Sequence, residues 1–410
     1  MPRLLQINSF CNFGSTGHIV EDIAQLGIKK GWECYVAAGR GNFNTESHLI
    51  KIGNKFDILI HGLKTRFFDQ HGLGSIWATH KLIKDIKRIK PDIIHLHNIH
   101  GYYLNYPILF RYLANLNIPI VWTLHDCWTF TGHCTYYSNI NCNKWMTGCY
   151  QCPQKNTYPR TTMIDRSKQN WLDKKKAFTS INNLTIITVS DWLKENVKKS
   201  FLKNYNIRRI YNGINTEIFK PQSDFNSIIE KYRLDNSKFH ILGVASVWDE
   251  RKGLNEFIQL RHKLPNNYEI ILVGLNDKQI SSLPLGIKGI KRTENQKELA
   301  DLYSFANVFI NASHEETLGL TTIESLACGT PAIVHNTTAC PEVIDEKTGY
   351  TLITNNLNEI IERIEEIKKN SKIQYSDYCR KRVINYFRKN DKYEEYFQLY
   401  ENLLSSNENS

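Results

Sequence analysis

Two carboxylates, Glu316 and Glu324, stand with seven residues between them in the stretch Asn311 to Ala332, NASHEETLGLTTIESLACGTPA. Between them lie Leu318-Gly319-Leu320 and Thr321-Thr322, and a helix-like run follows. Cys328-Gly329-Thr330-Pro331 closes it, because glycine suits the position just past a helix and proline cannot continue one. Ala306 to Ile310 ahead of the stretch and Ala332 to Val334 behind it read as short buried strands. The pattern is strand, loop, helix, strand, with the motif at the carboxyl end of a parallel strand, where open α/β sheets bind ligands. A helix beginning near Leu320 leaves its first amide N–H groups unpaired, and with the helix dipole these favour an anion such as phosphate. Glu316, ahead of the helix, can accept hydrogen bonds from sugar hydroxyls or loop amides. Glu324, about one turn in, can take vicinal hydroxyls such as those of a ribose. Taken alone, the stretch also fits a plain βαβ unit with two solvated glutamates.

Other chemistry-bearing residues fall at similar places. Pro119 to Leu124 reads as a strand that delivers His125 and Asp126 to its carboxyl end. An imidazole there can polarise or deprotonate a hydroxyl near neutral pH, with Asp126 to orient it. In the strand Asp92 to His97, alternation puts His95 and His97 on one face, where they could hold an acceptor hydroxyl or serve the strand end structurally. Gly14 to Gly17 links a first strand, Leu4 to Asn8, to a helix from His18 to about Lys30, and glycine there lets backbone approach a ligand. The full G-x-G-x-x-G spacing is absent. Further on, the strand Phe239 to Ala245 leads to Arg251-Lys252-Gly253. Two cations at a helix start are disfavoured by the dipole unless an anion joins them. The strand Glu269 to Val273 ends at Gly274, another site of close approach.

The segment from Cys127 to Pro153 holds five of the ten cysteines. Cys134, Cys142, Cys149 and Cys152 offer four thiolates, and Cys149-x2-Cys152 has the spacing of half a zinc knuckle. His133 is a substitute ligand and Cys127 a fifth candidate; free buried thiols are the plain alternative. The metal would be structural, tying down a long loop.

The stretch around Glu316 and Glu324 resembles the E-x7-E motif of retaining nucleotide-sugar glycosyltransferases, glycosyltransferase family 4 with the GT-B fold. The match covers the spacing, Gly319 and the trailing Glu-Ser-Leu-Ala-Cys-Gly-Thr-Pro. The resemblance implies an α/β protein of two Rossmann-like domains facing across a cleft, with a C-terminal helix crossing back to the first domain. It implies that Lys252 meets the diphosphate of a nucleotide sugar, with Arg251, Gly274, Leu318, Gly319, Leu320 and Thr321 around the nucleotide. Glu316 would hold the sugar and Glu324 the ribose. Gly17 matches the family's N-terminal glycine loop, and His125 its active-site histidine, with His95, His97 and Asp126 on the acceptor side. The family's usual arginine five residues before Lys252 is Val247 here, so Arg251 is the candidate replacement charge. The cysteine-rich insert resembles one in transferases of the colanic-acid and O-antigen type. The implied reaction moves a hexosyl unit from a UDP- or GDP-sugar to a lipid-linked oligosaccharide, with no cofactor required for catalysis.

Composition bounds this reading. The 410 residues suffice for two domains, expected at 1–215 and 216–385, with a final helix at 386–410. That helix is expected to run from Lys381 to Leu403, and Ser405 to Ser410 to be disordered. No apolar run of about 18 residues occurs, and polar Asn8 comes too early for a signal peptide, so a cytoplasmic protein is expected. A net charge of +11, from 52 basic and 41 acidic residues, suits a phosphate-bearing substrate or an acidic membrane face. Lys64, Arg66, Phe67 and Phe68 could touch the inner face of that membrane. The charge and cysteines also fit a zinc-bearing nucleic-acid binder, which leaves the E-x7-E motif unexplained; no nucleic-acid partner is expected. A sugar-nucleotide epimerase or a phosphorylase would share the fold.

Overall fold

The computed structural model describes residues 1–354 and 356–408. The chain divides into two units, Met1–Ile210 with Lys392–Ser410, and Tyr211–Asp391.

In the first unit, strand and helix alternate from the start: β1 (Arg3–Cys11), α1 (Gly14–Lys29), β2 (Glu33–Gly41), β3 (His48–Lys51), α2 (Lys55–Phe68), α3 (Ile76–Ile89), β4 (Ile93–Leu96), α4 (Tyr106–Leu113) and β5 (Ile120–Leu124). After the cysteine-rich insert come α5 (Ser167–Phe178), β6 (Leu184–Thr188), α6 (Asp191–Lys199) and β7 (Asn206–Arg209). The seven strands form one sheet in the order β3-β2-β1-β4-β5-β6-β7, and β1 pairs in parallel with both β2 and β4. Chain order reverses between β1 and β4, which makes their carboxyl ends the switch point of this sheet. Central strands β4, β5 and β6 are buried at every position, as expected of a parallel sheet covered on both faces. Ser190 caps α6 by accepting from the Leu193 amide at 3.2 Å, as its sequence position predicts. Helix α1 starts earlier than expected. Asn12 (φ 43°) makes the turn, so Gly17 lies in the first turn of the helix and not in the loop before it. Gly17 packs there on the backbone of Phe10 and Asn12.

The second unit repeats the plan with α7 (Asn226–Tyr232), β8 (Phe239–Val244), α8 (Leu254–Lys263), β9 (Tyr268–Val273), α9 (Asp277–Ser281), β10 (Ile287–Ile290), α10 (Gln296–Phe305), β11 (Val308–Asn311), α11 (Leu320–Ala327), β12 (Ala332–Val334), β13 (Gly349–Thr351), α12 (Leu357–Asn370) and α13 (Ile373–Tyr386). Its six strands run in the order β10-β9-β8-β11-β12-β13, with β8 parallel to β9 and to β11.

The expected single helix over Lys381 to Leu403 is two. After α13, Phe387 and Arg388 leave the helix before α14 (Lys389–Glu408) begins. The cause is a pairing with the earlier interdomain segment: the Ile214 amide donates to Phe387 O at 2.9 Å, and the Lys389 amide donates to Ile214 O at 3.0 Å. The two crossing segments thus bind each other, and the units divide at Tyr211 and Lys392 instead of near 216 and 386. From Lys392 on, α14 belongs to the first unit. Tyr393, Tyr396, Phe397 and Tyr400 sit in one buried cluster with Val20, Ile23, Trp32 and Val36, and Phe397 meets Trp32 edge-on at 5.4 Å. The terminal segment expected to be disordered continues α14 to Glu408, and positions 409–410 lie outside the described residues.

Candidate functional site

In the second unit, three sequence candidates, Arg251, Lys252 and Glu316, converge because one glycine permits it. Gly253 sits at φ 75° between a 3-10 turn, Glu250–Lys252, and α8, and an added Cβ would lie 2.4 Å from Ala312 O. Only glycine lets the start of α8 touch the end of β11. That contact brings the Lys252 ammonium onto Glu316 Oε1, with both side chains half-buried. Ser313 Oγ donates to the same Glu316 oxygen at 3.1 Å, and the Glu316 amide donates to Thr338 Oγ1 at 2.8 Å. Arg251 Nη1 donates to Glu315 O at 3.0 Å, so Arg251 braces the loop that carries Glu316. Val247, where the family has arginine, is exposed and brings no charge.

Three residues after Glu316, Gly319 caps α11 with φ 89° and no side-chain acceptor. Thr322 and Ile323 return their amides to Gly319 O, whereas the amides of Leu320 and Thr321 have no partner among the described residues. Leu318 is fully buried, so only its backbone is available to a ligand. Gly274 (φ 102°) is required by a close approach, but to the protein itself: a Cβ there would overlap Ala245 O. Glu324 faces α10, where Oε2 accepts from Tyr303 OH at 3.0 Å. Burial pushes its carboxyl up to about 7, the tyrosine hydrogen bond opposing only in part.

In the first unit, His125 follows β5 as expected and joins a buried relay. Gln6 Nε2 donates to Val20 O at 2.9 Å, which turns Gln6 Oε1 toward His97 Nε2 at 3.1 Å. His97 Nε2 must therefore carry the proton, leaving Nδ1 to accept from His125 Nε2 at 3.2 Å. The network assigns His125 the Nε2–H tautomer, with Nδ1 as its acceptor nitrogen. Burial lowers the His125 pKa to about 4, offset in part by Asp126, so the ring is neutral at physiological pH.

Three expectations change here. Asp126 does not orient His125; its Oδ2 takes His100 Nε2 at 2.8 Å and its Oδ1 the Trp128 amide at 2.9 Å. His95 is wholly buried, with Nε2 on Thr123 Oγ1 at 2.8 Å and Nδ1 on Tyr400 OH at 2.7 Å, so no nitrogen remains for an acceptor. His97 shares its face, as alternation requires, but both of its nitrogens serve the relay and it holds no acceptor hydroxyl.

Cys134, Cys142, Cys149 and Cys152 line one pocket together with His133 and Trp145. His133 Nδ1 lies 2.6 Å from Asp69 Oδ1, and its Nε2 is buried without a hydrogen-bond partner. The Gly132 amide donates to Cys149 Sγ at 3.1 Å. Thiolates plus an imidazole backed by a carboxylate are a zinc donor set. No three of these sulfurs lie within 4.8 Å of one another among the described residues, so coordination would draw them inward. Cys127 is buried outside the pocket lining. The insert is anchored from beneath by the buried Lys174, whose Nζ donates to Trp128 O at 2.6 Å and Thr131 O at 3.0 Å.

Of one surface the sequence pointed only to the end, at Lys64, Arg66, Phe67 and Phe68. On α2, Phe56, Leu59, Ile60, Leu63 and Phe67 point outward, while His61 and Thr65 are buried. The apolar stripe has helical spacing, and only its position on the outside, set by tertiary packing, makes it unusual. On α3, exposed Trp77 is followed at helical spacing by exposed Lys81, Lys84 and Arg88. Met163 and Ile164 extend the patch, held to the end of α2 by Thr162 N donating to Arg66 O at 2.8 Å.

Glu324 yields a test. An acid raised from 4.5 to about 7 on folding costs nothing below the lower value, where both states are protonated, and destabilises increasingly up to the upper one. Glu324→Gln keeps an acceptor for Tyr303 and removes that cost. Thermal melts of the variant and the parent should differ least below about pH 4.5, grow apart in the variant's favour as pH rises to about 7, and stay a constant distance apart above that; parallel pH profiles would refute the shift.

The model of Glycosyltransferase Family 4 matches residues 16–218, and that of Glycosyl transferases group 1 matches residues 224–389. WcaC of Escherichia coli K12, a putative colanic acid biosynthesis glycosyl transferase, is 24% identical over 387 residues, spanning 88% of this chain and 89% of its own. CapM of Staphylococcus aureus, a capsular polysaccharide biosynthesis glycosyltransferase, is 28% identical over 241 residues, 54% of this chain and 63% of its own. Among solved structures, sucrose-phosphate synthase from Thermosynechococcus elongatus superposes with a TM-score of 0.73 at 17% identity, over 99% of this chain and 100% of that one. HepE of Anabaena, solved with UDP-glucose, does so at 0.65 and 15%, over 98% and 99%. With two parallel-sheet Rossmann-like units matched in turn by the two models, the chain belongs to glycosyltransferase family 4 and has the GT-B fold.

Proposed function

We propose that this glycosyltransferase is a retaining hexosyltransferase of bacterial surface-polysaccharide assembly, using a UDP- or GDP-sugar and a lipid-linked acceptor. The observation that carries the reading is the Lys252–Glu316 pair beside the unpaired amides of Leu320 and Thr321. When the bond between the sugar and the nucleotide breaks, negative charge develops on the leaving diphosphate. Lys252 and the two amides stabilise it, with Arg251 bracing their loop. Stabilisation of this kind, by charges and dipoles already in place, is commonly the main source of an enzyme's rate acceleration. A diphosphate that recruits Lys252 releases Glu316 to hold a sugar hydroxyl. Glu324 takes the ribose, and His125, neutral with Nδ1 as acceptor, positions the transferred sugar. The polysaccharide context rests on the names of WcaC and CapM.

Binding on the cytoplasmic face of the inner membrane is part of the same proposal. No described helix is long and apolar enough to cross a membrane. The outward stripe of α2 and the Trp77–Lys81–Lys84 face of α3 instead suit an interfacial surface, with apolar groups to enter the headgroup layer and lysines for anionic lipid. The thiol pocket is proposed to hold one structural zinc ion, through Cys134, Cys142, Cys149 and Cys152 with His133 as the alternate ligand. When bound, the ion cross-links the insert and supplies no chemistry to transfer.

Four measurements test these assignments. Screening UDP- and GDP-sugars by thermal shift should find one donor whose nucleoside diphosphate is released on turnover. Lys252→Ala should lower kcat/KM by roughly 10²–10³-fold, the scale of losing one charge-stabilising group; an unaffected variant would remove Lys252 from the site, and a salt-sensitive nucleic-acid gel shift without donor hydrolysis would favour the rival binder. In sedimentation with anionic vesicles the protein should pellet, and the Phe56→Ser/Leu63→Ser/Trp77→Ser variant should stay in the supernatant; equal partitioning of the two refutes the membrane face. Elemental analysis without chelator should find zinc that Cys149→Ser/Cys152→Ser loses, and identical metal content in both proteins would refute the cysteine site.

A further inference from the structure

Outside the groups already assigned, the second unit gathers two imidazoles and a carboxylate. Glu256 lies in the first turn of α8, His314 in the loop after β11, and His335 immediately after β12. Glu256 Oε1 is 3.0 Å from His314 Nε2, and Glu256 Oε2 is 2.9 Å from His335 Nε2. One ligand atom from each residue lies within 4.8 Å of the other two. These are three separate chain segments, and nothing in the nucleotide-binding reading uses any of them.

An ion pair alone explains the cluster poorly. His335 is wholly buried, yet neither of its ring nitrogens has a hydrogen-bond partner, and Glu256 Oε2 has none either. The two atoms are close without being aligned as donor and acceptor. Buried polar atoms are ordinarily satisfied, and leaving three in one place unpaired is costly. Ligands of a shared cation have the same relation: each lone pair is directed at a common point, not at the neighbouring ligand. Metal–ligand bonds of about 2.0–2.2 Å put neighbouring ligand atoms about 3.0–3.6 Å apart, so a small adjustment of these contacts would place the three groups around one ion.

We propose that Glu256, His314 and His335 form a binding site for a divalent d-block cation of the zinc class. Two imidazoles and one carboxylate suit such an ion, whereas calcium and magnesium prefer all-oxygen sets. Glu256 and His314 keep 24% and 34% of their side chains exposed, so water reaches the remaining coordination positions. The site is separate from the cysteine pocket in ligand type and in folding unit.

Its consequence follows from connectivity. The His314 amide donates to Arg251 O at 2.9 Å, and Glu316 stands two residues beyond His314. Glu256 follows Lys252 by one helical turn. A cation joining Glu256, His314 and His335 would therefore staple the Lys252 turn to the Glu316 loop and to the end of β12. It would hold the anion-binding groups in register without touching donor or taking part in transfer. The cation site stands independently of the proposed reaction; only this positioning effect rests on it.

The test is cobalt titration of the chelator-stripped full chain, followed by visible absorption. The parent should show d–d bands that persist in Cys149→Ser/Cys152→Ser, without the near-ultraviolet thiolate charge transfer of the cysteine pocket. His314→Ala and Glu256→Gln should weaken that signal's apparent affinity at least tenfold while circular dichroism remains that of the parent. His314 is partly exposed, so its removal leaves a folded protein even if substitution of the buried His335 does not. Unchanged binding in both variants, or loss of all cobalt absorption in the cysteine variant, would overturn the site. Loading the ion should also tighten binding of a nucleoside diphosphate in the parent and not in His314→Ala. A cobalt signature without any nucleotide binding would instead overturn the donor reading and leave the cation site standing.

Discussion

The second unit depends on a contact that only a residue without a side chain allows. With Gly253 against Ala312, the turn bearing Arg251 and Lys252 lies on the loop that leads from β11 into α11. Everything that handles an anion follows. Lys252 reaches Glu316, Arg251 holds the Glu315 carbonyl, and the amides of Leu320 and Thr321 are left unpaired nearby in sequence. An ammonium and a carboxylate that neutralise each other in the absence of ligand leave little net charge buried. A phosphate can then take the ammonium while a sugar hydroxyl takes the carboxylate, so the pair is preorganised for exchange.

The first unit uses burial for a different purpose. Gln6, His97 and His125 form a chain in which each proton position follows from the one before, starting at the Val20 carbonyl. Desolvation keeps the rings neutral, which makes the tautomer definite and leaves one nitrogen of His125 as an acceptor. Next to His97, His95 is bonded to Thr123 and Tyr400 and serves the seat of α14. Two histidines that alternate along one strand thus have unlike tasks, decided by what packs over each.

Helix α14 shows how distant sequence can override local preference. Residues 381–403 have helical composition throughout, yet the helix breaks where Ile214 hydrogen-bonds to Phe387 and Lys389. The break lets the last helix return its aromatic face to α1 and β2, where Phe397 fills the space beside Gly27 and Cys34. The cysteine-rich insert is held by comparable long-range contacts, from Lys174 on α5 and from Asp69 just past α2, to carbonyls and to His133.

Much of the fold was legible because strands and helices are signalled locally. The apolar runs of β4, β5 and β11, the glycine and proline after α11, and the Ser190 cap all act within a few residues of themselves. Spacing was equally sufficient for the E-x7-E stretch, since a loop and one helical turn fix where Glu316 and Glu324 fall on either side of the α11 start. What the sequence could not determine was the partner of each side chain. That His100 and not His125 takes Asp126, that Tyr400 takes His95, and that Glu256 meets His314 and His335 are facts about which strand ends and helices become neighbours. The apolar stripe of α2 has the periodicity of an inward face, and only the packing of His61 and Thr65 inward turns it to the outside. Local periodicity specifies elements because backbone hydrogen bonding is short-ranged. Side-chain partnership is settled by tertiary packing, which brings together residues as far apart in sequence as Trp32 and Phe397.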